Sequence, residues 1–252
     1  MANIPVGLQM FTLREETEKD FVKTLEKVAQ LGYQGVEFAG YGDLSAKELK
    51  NILDQLGLKA ASSHVPIDQL ESNLSEVIAY QQTIGSKHVV CPFLFPDRRT
   101  EADYKQLVKS LNQIGETCKK EGLTFSYHNH DFELETLSDG RSALQTLLED
   151  TNPEWVKAEF DIYWLTRAGE NPLEWIKRYP NRTPLVHLKD MTTDDERFFA
   201  ELGTGGVDLK SVTDYGEAAG VEWWIVEQDQ SRRSPLESIE ISINYLKQQH
   251  IL

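Results

Sequence analysis

Five times along this 252-residue chain, a helical-looking run stops at a glycine and a short β-rich run begins at once. The stops are Gly32 (LGYQGVEF), Gly57 (LGLKAASSH), Gly85 (IGSKHVVC), Gly122 (EGLTFSYHNH) and Gly220 (AGVEWWIVE). Glycine has no Cβ, so it takes the left-handed conformation just past a helix end without strain. Helix starts are as legible. Ser45-Ala-Lys-Glu48 spells a capping box, in which the hydroxyl accepts an orphan backbone N–H and the carboxylate reaches back. Asn171-Pro-Leu-Glu174 and Ser234-Pro-Leu-Glu237 each set a cap residue before a proline whose missing N–H costs nothing there.

These marks predict strands at 4–11, 35–39, 58–64, 87–92, 123–130, 156–161, 184–189 and 222–228. Helices are expected between them at 19–31, 45–56, 70–84, 101–121, 141–149, 171–178 and 208–219, with a last one at 234–248. No linker or low-complexity stretch interrupts the alternation. Alternating strands and helices imply a parallel sheet, and eight such units favour closure into a (β/α)8 TIM barrel. The expectation is one domain over residues 1–252, an ordinary length for that architecture.

Side-chain parity fits a closed barrel. Strands have period two, so one face looks toward the axis and the other packs under the helices. In the fifth strand Phe125 and Tyr127 oppose Thr124, Ser126, His128 and His130. In the sixth, Val156, Ala158 and Phe160 oppose Lys157, Glu159 and Asp161. The apolar sets belong under the helices, which sends the polar sets inward and points to a site at the mouth.

Active sites of such barrels sit at the C-terminal ends of the strands. Those ends carry Gln9, Glu37, His64, His128-Asn129-His130, Asp161, His187 with Lys189, and Glu227. His88, at the opposite end of its strand, and His250, in the tail, are read as structural or solvent-exposed. His128, Asp161, His187 and Glu227 come one each from strands five to eight, all on the inward parity. Two imidazoles and two carboxylates suit a borderline divalent ion, Mn²⁺ foremost, with Co²⁺, Fe²⁺ or Zn²⁺ as alternatives; Mg²⁺ and Ca²⁺ prefer oxygen throughout.

The segments YHNHDFE (127–133), EFDIYW (159–164), HLKD (187–190), LGTGGVD (202–208) and VEQD (226–229) together resemble the sugar phosphate isomerase/epimerase family, whose barrel is of the xylose isomerase-like type. The resemblance covers essentially the whole chain. It implies metal ligands at the ends of strands five to eight, commonly Glu, Asp, His and Glu. Asp161, His187 and Glu227 match the last three; His128 stands where the first glutamate is common. That departure puts a two-glutamate mechanism in doubt. Glu133 replaces the missing carboxylate only if its loop folds back; the other reading is a salt bridge or helix-approach role.

The expected chemistry is proton abstraction next to a carbonyl, with Glu227 as first candidate base and His130 or His64 as its partner. Glu37, Asn129, Trp164 and Gln9 are candidate substrate contacts, Trp164 by stacking on a sugar face. Lys189 is a candidate for stabilising negative charge on the substrate, against simple pairing with Asp190 or Glu159. The turn at Gly203, Gly205 and Gly206 lacks the Lys-Ser/Thr of a nucleotide loop and is read as permitting close backbone approach to substrate.

The leading expectation is therefore a metal-dependent sugar isomerase or epimerase. A lyase of the inosose dehydratase or 3-keto-glycoside eliminating kind is the alternative, followed by an endonuclease-IV-type phosphodiesterase or a non-catalytic sugar-binding barrel. The formal charge of −15 and the absence of a basic patch, with Arg98-Arg99 and Arg232-Arg233 as isolated pairs, argue against nucleic acid. Cys91 and Cys118 form no metal or disulfide framework. MANIPVGLQMF has no signal-peptide pattern and no apolar run reaches the ~20 residues of a membrane span. The expected setting is the cytoplasm, the partner a small sugar or polyol, and the family resemblance adds a homo-oligomer.

Overall fold

The computed structural model describes residues 4–252. Eight parallel strands close into a barrel: β1 (Val6–Gln9), β2 (Gly35–Phe38), β3 (Lys59–His64), β4 (His88–Cys91), β5 (Thr124–His128), β6 (Val156–Asp161), β7 (Leu185–Leu188) and β8 (Trp223–Val226). Around the ring the order is β1-β8-β7-β6-β5-β4-β3-β2, so each strand lies beside its sequence neighbours and β1 meets β8. The five predicted stop glycines all have positive φ, between 71° and 95°. Ser45 forms the full capping box the sequence suggests, and the Asn171 side chain caps its helix by accepting the Leu173 and Glu174 N–H groups. Ser234 makes no side-chain cap bond, although Pro235 still opens its helix.

Helices and strands meet through the apolar face read from parity. Phe125, Tyr127, Val156, Ala158 and Phe160 all lie in one buried cluster that includes Leu107, Leu111, Trp175 and Ile176. Each such side chain taken from water contributes on the order of 1.5–3 kcal/mol, so facing the barrel outward into its helices is where stability resides.

Several elements differ from expectation for local reasons. The first strand ends at Gln9, whose side chain accepts the Phe11 N–H at 3.0 Å and starts a 3-10 turn over Met10–Leu13. The helix expected at 19–31 begins only at Phe21, because Asp20 is extended and caps it through the Lys23 N–H; a separate helix, Arg14–Lys19, precedes it. The helix expected at 70–84 is two, Ile67–Ser72 and Leu74–Ile84, broken at Asn73. The fifth strand stops at His128, which leaves Asn129 and His130 in the following loop. A short helix, Ile162–Arg167, follows β6, and a two-stranded ribbon pairs Asp190–Met191 with Phe199–Ala200.

Candidate active site at the barrel mouth

The inner face of β6 organises the site. Asp161 is the cap of the helix that follows it: its Oδ1 accepts the Trp164 N–H at 3.0 Å. That leaves Oδ2 turned to the barrel axis, buried, with no aligned hydrogen bond. The Lys189 ammonium stands 2.8 Å from it as a charge contact. Asn129 holds the strand end in place by accepting the Asp161 N–H at 3.1 Å.

Registers set two levels. Asp161 lies opposite His187 and His128 opposite Glu159. His187 is fully buried between carboxylates on both sides. Its Nδ1 is 3.0 Å from Glu227 Oε2 and 3.9 Å from Asp161 Oδ2; its Nε2 is 2.6 Å from Glu37 Oε1 and 3.3 Å from Glu159 Oε2. Glu159 Oε2 also meets His64 Nε2 at 2.7 Å and His128 Nδ1 at 3.1 Å, so three imidazoles converge on one oxygen. Lys189 Nζ neutralises the outer carboxylates, 2.6 Å from Glu227 and 2.9 Å from Asp229 as well as near Asp161.

The electrostatics follow from this arrangement. Burial alone would lower the His64 pKa, but the Glu37 and Glu159 carboxylates outweigh it and push it up to about 10. Burial pulls His130 down to about 3, and the nearby Lys189 charge adds to that. Burial also lowers His128 well below the usual range, reinforced by the charges of its neighbours. Glu227 is desolvated, yet Lys189 and His187 overcome that and hold its carboxyl well below the usual value.

The sequence candidates divide by depth. His64, His128, His130 and Glu227 line an open cavity of about 420 Å³, together with Asp229. His187 and Asp161 lie just beneath it. Gln9 and Glu37, expected against the substrate, are fully buried lower in the barrel. Gln9 donates to Glu37 Oε1 at 2.7 Å, which also lies 3.0 Å from His64 Nε2, while Ser62 donates to Oε2, so Glu37 positions the histidines and Gln9 holds Glu37. Asn129 is buried against the backbone. Trp164 tilts against His130 at 5.4 Å and lines a neighbouring groove with Arg167, Phe199 and Gln230, outside the cavity.

Lys189 pairs with neither Asp190 nor Glu159. Asp190 instead accepts the backbone N–H groups of Gly203, Gly205 and Val207, each at 3.0 Å. A Cβ on Gly205 would strike Met191 and Asp190, so the glycine turn closes on this carboxylate. Glu133 folds inward, but to accept Tyr127 Oη at 2.7 Å and the His130 N–H at 2.8 Å, which fixes the loop carrying His130. His88 meets Glu222 at 3.2 Å at the far end of the barrel, and His250 is exposed.

Two residues of the site, Glu159 and Asp229, lie outside the sequence candidates. Glu159 was placed inward by parity, yet nothing in the sequence reveals that three histidines meet it. Asp229 sits in the VEQD motif, two residues beyond its strand's inward glutamate, and that spacing was its signal.

The donors suit a divalent cation. Single donor atoms of Asp161, His187 and Glu227 lie within 4.8 Å of one another, and a second set, His64, His128, Glu159 and His187, meets the same limit. His128 Nε2 is 3.7 Å from Asp161 Oδ2. The unaligned Asp161 oxygen beside imidazole and carboxylate is the donor chemistry of a borderline metal.

The sequence matches the xylose isomerase-like TIM barrel family over residues 25–249, and the chain belongs to that family of enzymes. It is 24% identical to an inosose dehydratase of Lacticaseibacillus casei over 87% of this chain and 86% of that protein. It is 26% identical to an inosose dehydratase of Clostridium botulinum, over 92% and 90% respectively. A solved sugar phosphate isomerase/epimerase from Parabacteroides distasonis superposes with a TM-score of 0.86 at 26% identity, covering 100% of this chain and 96% of that one. The family resemblance read from the sequence is borne out. Among the described residues no helix is long and apolar enough to cross a membrane.

Proposed function

We propose that the barrel mouth abstracts a proton next to the carbonyl of a keto-sugar or keto-cyclitol, and that the resulting enolate expels a β-substituent. This makes the protein a metal-dependent lyase. The observation that carries the reading is geometric: two imidazoles, His64 and His130, face one cavity beside the Asp161, His187 and Glu227 donors, and their surroundings push their pKa values apart, the Glu37 and Glu159 carboxylates raising His64 while burial lowers His130. Environments that push paired groups apart in this way assign acid and base. The isomerase reading expected from sequence uses the same enolate, but relatives named inosose dehydratase favour elimination.

In this scheme His130 accepts the α-proton, and the C–H electron pair becomes the enolate. Loss of the β C–O bond returns those electrons to form a C=C bond, and His64 gives its proton to the departing oxygen. Glu37 and Glu159 keep His64 charged between turnovers. Glu227, the first candidate base, has Oε2 engaged by Lys189 at 2.6 Å and by His187 at 3.0 Å, and its role is to be a ligand beside Asp161, His187 and His128. Asp161, His187, Glu227 and His128 would hold the metal, whose mixed nitrogen and oxygen donors favour an Mn²⁺-like ion and which would supply Lewis-acid polarisation of the carbonyl.

His64→Gln tests the assignment, since glutamine keeps polarity but carries no proton to give. General acid catalysis contributes about 10²–10⁴-fold, so elimination from a keto-cyclitol should slow by about that factor while metal binding persists. Turnover equal to the parent would remove His64 from the mechanism.

A further inference from the structure

The cavity is divided along the order of the strands. Its polar lining, His128, His130, Glu227 and Asp229, follows β5 and β8. The lining contributed after β1 to β4 is Phe11, Ala39, Pro66, Pro92 and Phe93, with His64 the one polar side chain on that side. Because β4, β3, β2 and β1 are consecutive around the barrel, these residues form one continuous half of the rim. Phe93 is braced in place, edge-on to Phe95 at 5.3 Å, His130 at 5.7 Å and Phe132 at 6.1 Å, and the Arg99 guanidinium caps Phe132 at 3.4 Å. Phe11 remains 42% exposed at the lip.

A free cyclitol carries hydroxyls around its whole ring. Seated here, half of them would face hydrocarbon with no partner, and polar groups desolvated without hydrogen bonds oppose binding. The apolar half instead rewards a substrate that is itself two-sided. We propose that the substrate is a conjugate, with a keto-sugar ring on the β5–β8 half and an aromatic or similarly apolar substituent on Phe11, Pro66, Pro92 and Phe93. The inference rests on the proposed sugar chemistry of the polar half, and it separates this chain's substrate from that in its relatives' name.

Equilibrium binding tests it without any turnover. Methyl and phenyl hexopyranosides have no keto group, so neither can react, and each anomer is titrated into metal-loaded protein by calorimetry. At roughly 25 cal/mol per Å² of apolar surface, a buried phenyl ring predicts that one phenyl anomer binds about 10–100-fold more tightly than its methyl counterpart. Phe93→Ser should bring that ratio close to one, and Phe11→Ser, at an exposed lip position that is safer for folding, should reduce it.

Equal affinities, or no detectable binding of either glycoside, would overturn the proposal even if elimination activity were found. Loss of activity toward every keto substrate with the phenyl preference intact would overturn the proposed reaction and leave this inference standing. A phenyl-independent protein that dimerises through Phe11 and Phe95, and becomes monomeric when they are replaced by serine, would assign the apolar rim to a second copy of the chain and overturn the proposal.

Discussion

Lys189→Met removes the one ammonium shared by two buried carboxylates, Asp161 and Glu227, and the partly exposed Asp229. Lys189 is 1% exposed, and its Nζ lies 2.8, 2.6 and 2.9 Å from oxygens of Asp161, Glu227 and Asp229. Methionine fills nearly the same volume, so the loss is one of charge and not of packing. Breaking a buried ion pair by removing one partner costs about 3–5 kcal/mol, because the remaining charge is left without compensation. At about 2–4 °C per kcal/mol for a domain of this size, the midpoint of thermal unfolding should fall by about 6–20 °C in metal-free buffer. A divalent cation then becomes the natural counter-ion. At about a hundred times its dissociation constant it adds about 2.7 kcal/mol, which should restore about 5–11 °C of that loss. Calorimetric melts with and without Mn²⁺, each against a chelated control, read both effects. If the variant melts with the parent in metal-free buffer, Lys189 is not the counter-ion of this site and the reasoning fails.

Two further predictions follow from the same geometry. Glu227→Gln keeps shape but loses an anionic donor, and since even groups behind the ligands change metal affinity about 10–100-fold, Mn²⁺ binding measured by calorimetry should weaken by at least that much; unchanged affinity would place the ion elsewhere. Burial raises Glu133 to about 7 from 4.5, so the folded state holds a proton that the unfolded state has already released. Its contribution therefore favours the fold below about pH 4.5 and is lost as pH rises to about 7, by about 3 kcal/mol at most. Urea unfolding of Glu133→Gln should lack that decline, and a stability difference between variant and parent that does not change with pH would show Glu133 ionised throughout.

The barrel was legible because its marks are local: a glycine that must take positive φ, a serine or asparagine that must cap, a strand whose polar and apolar residues alternate. Parity also placed His128, Asp161, His187 and Glu227 correctly on the inner face. Depth was not legible. Gln9, Glu37 and Ser62 share a level because β1, β2 and β3 pair at a particular register, with an irregularity between Val36 and Glu37 that no residue type announces. That register is what buries Glu37 against His64 and His187. The partners of Lys189 were hidden for a related reason, since a long flexible side chain reaches across strands and Asp229 lies beyond the end of β8. The break at Asn73 carries neither glycine nor proline, so the helix there reads as continuous, and the short helix Arg14–Lys19 carries no apolar periodicity of its own to announce it.

The proposed chemistry forms an enolate at this mouth that loses a β-substituent. Mass spectrometry of reactions run in D₂O with metal-loaded protein tests it directly, over a panel of keto-cyclitols and 3-keto-glycosides with aromatic and methyl substituents. The predicted result is a product lighter by water or by the departing alcohol, formed only when the divalent metal is present and lost in His130→Gln. A product of unchanged mass apart from deuterium at the reacting carbon, with no elimination from any substrate, would contradict the claim and return the site to an isomerase or epimerase.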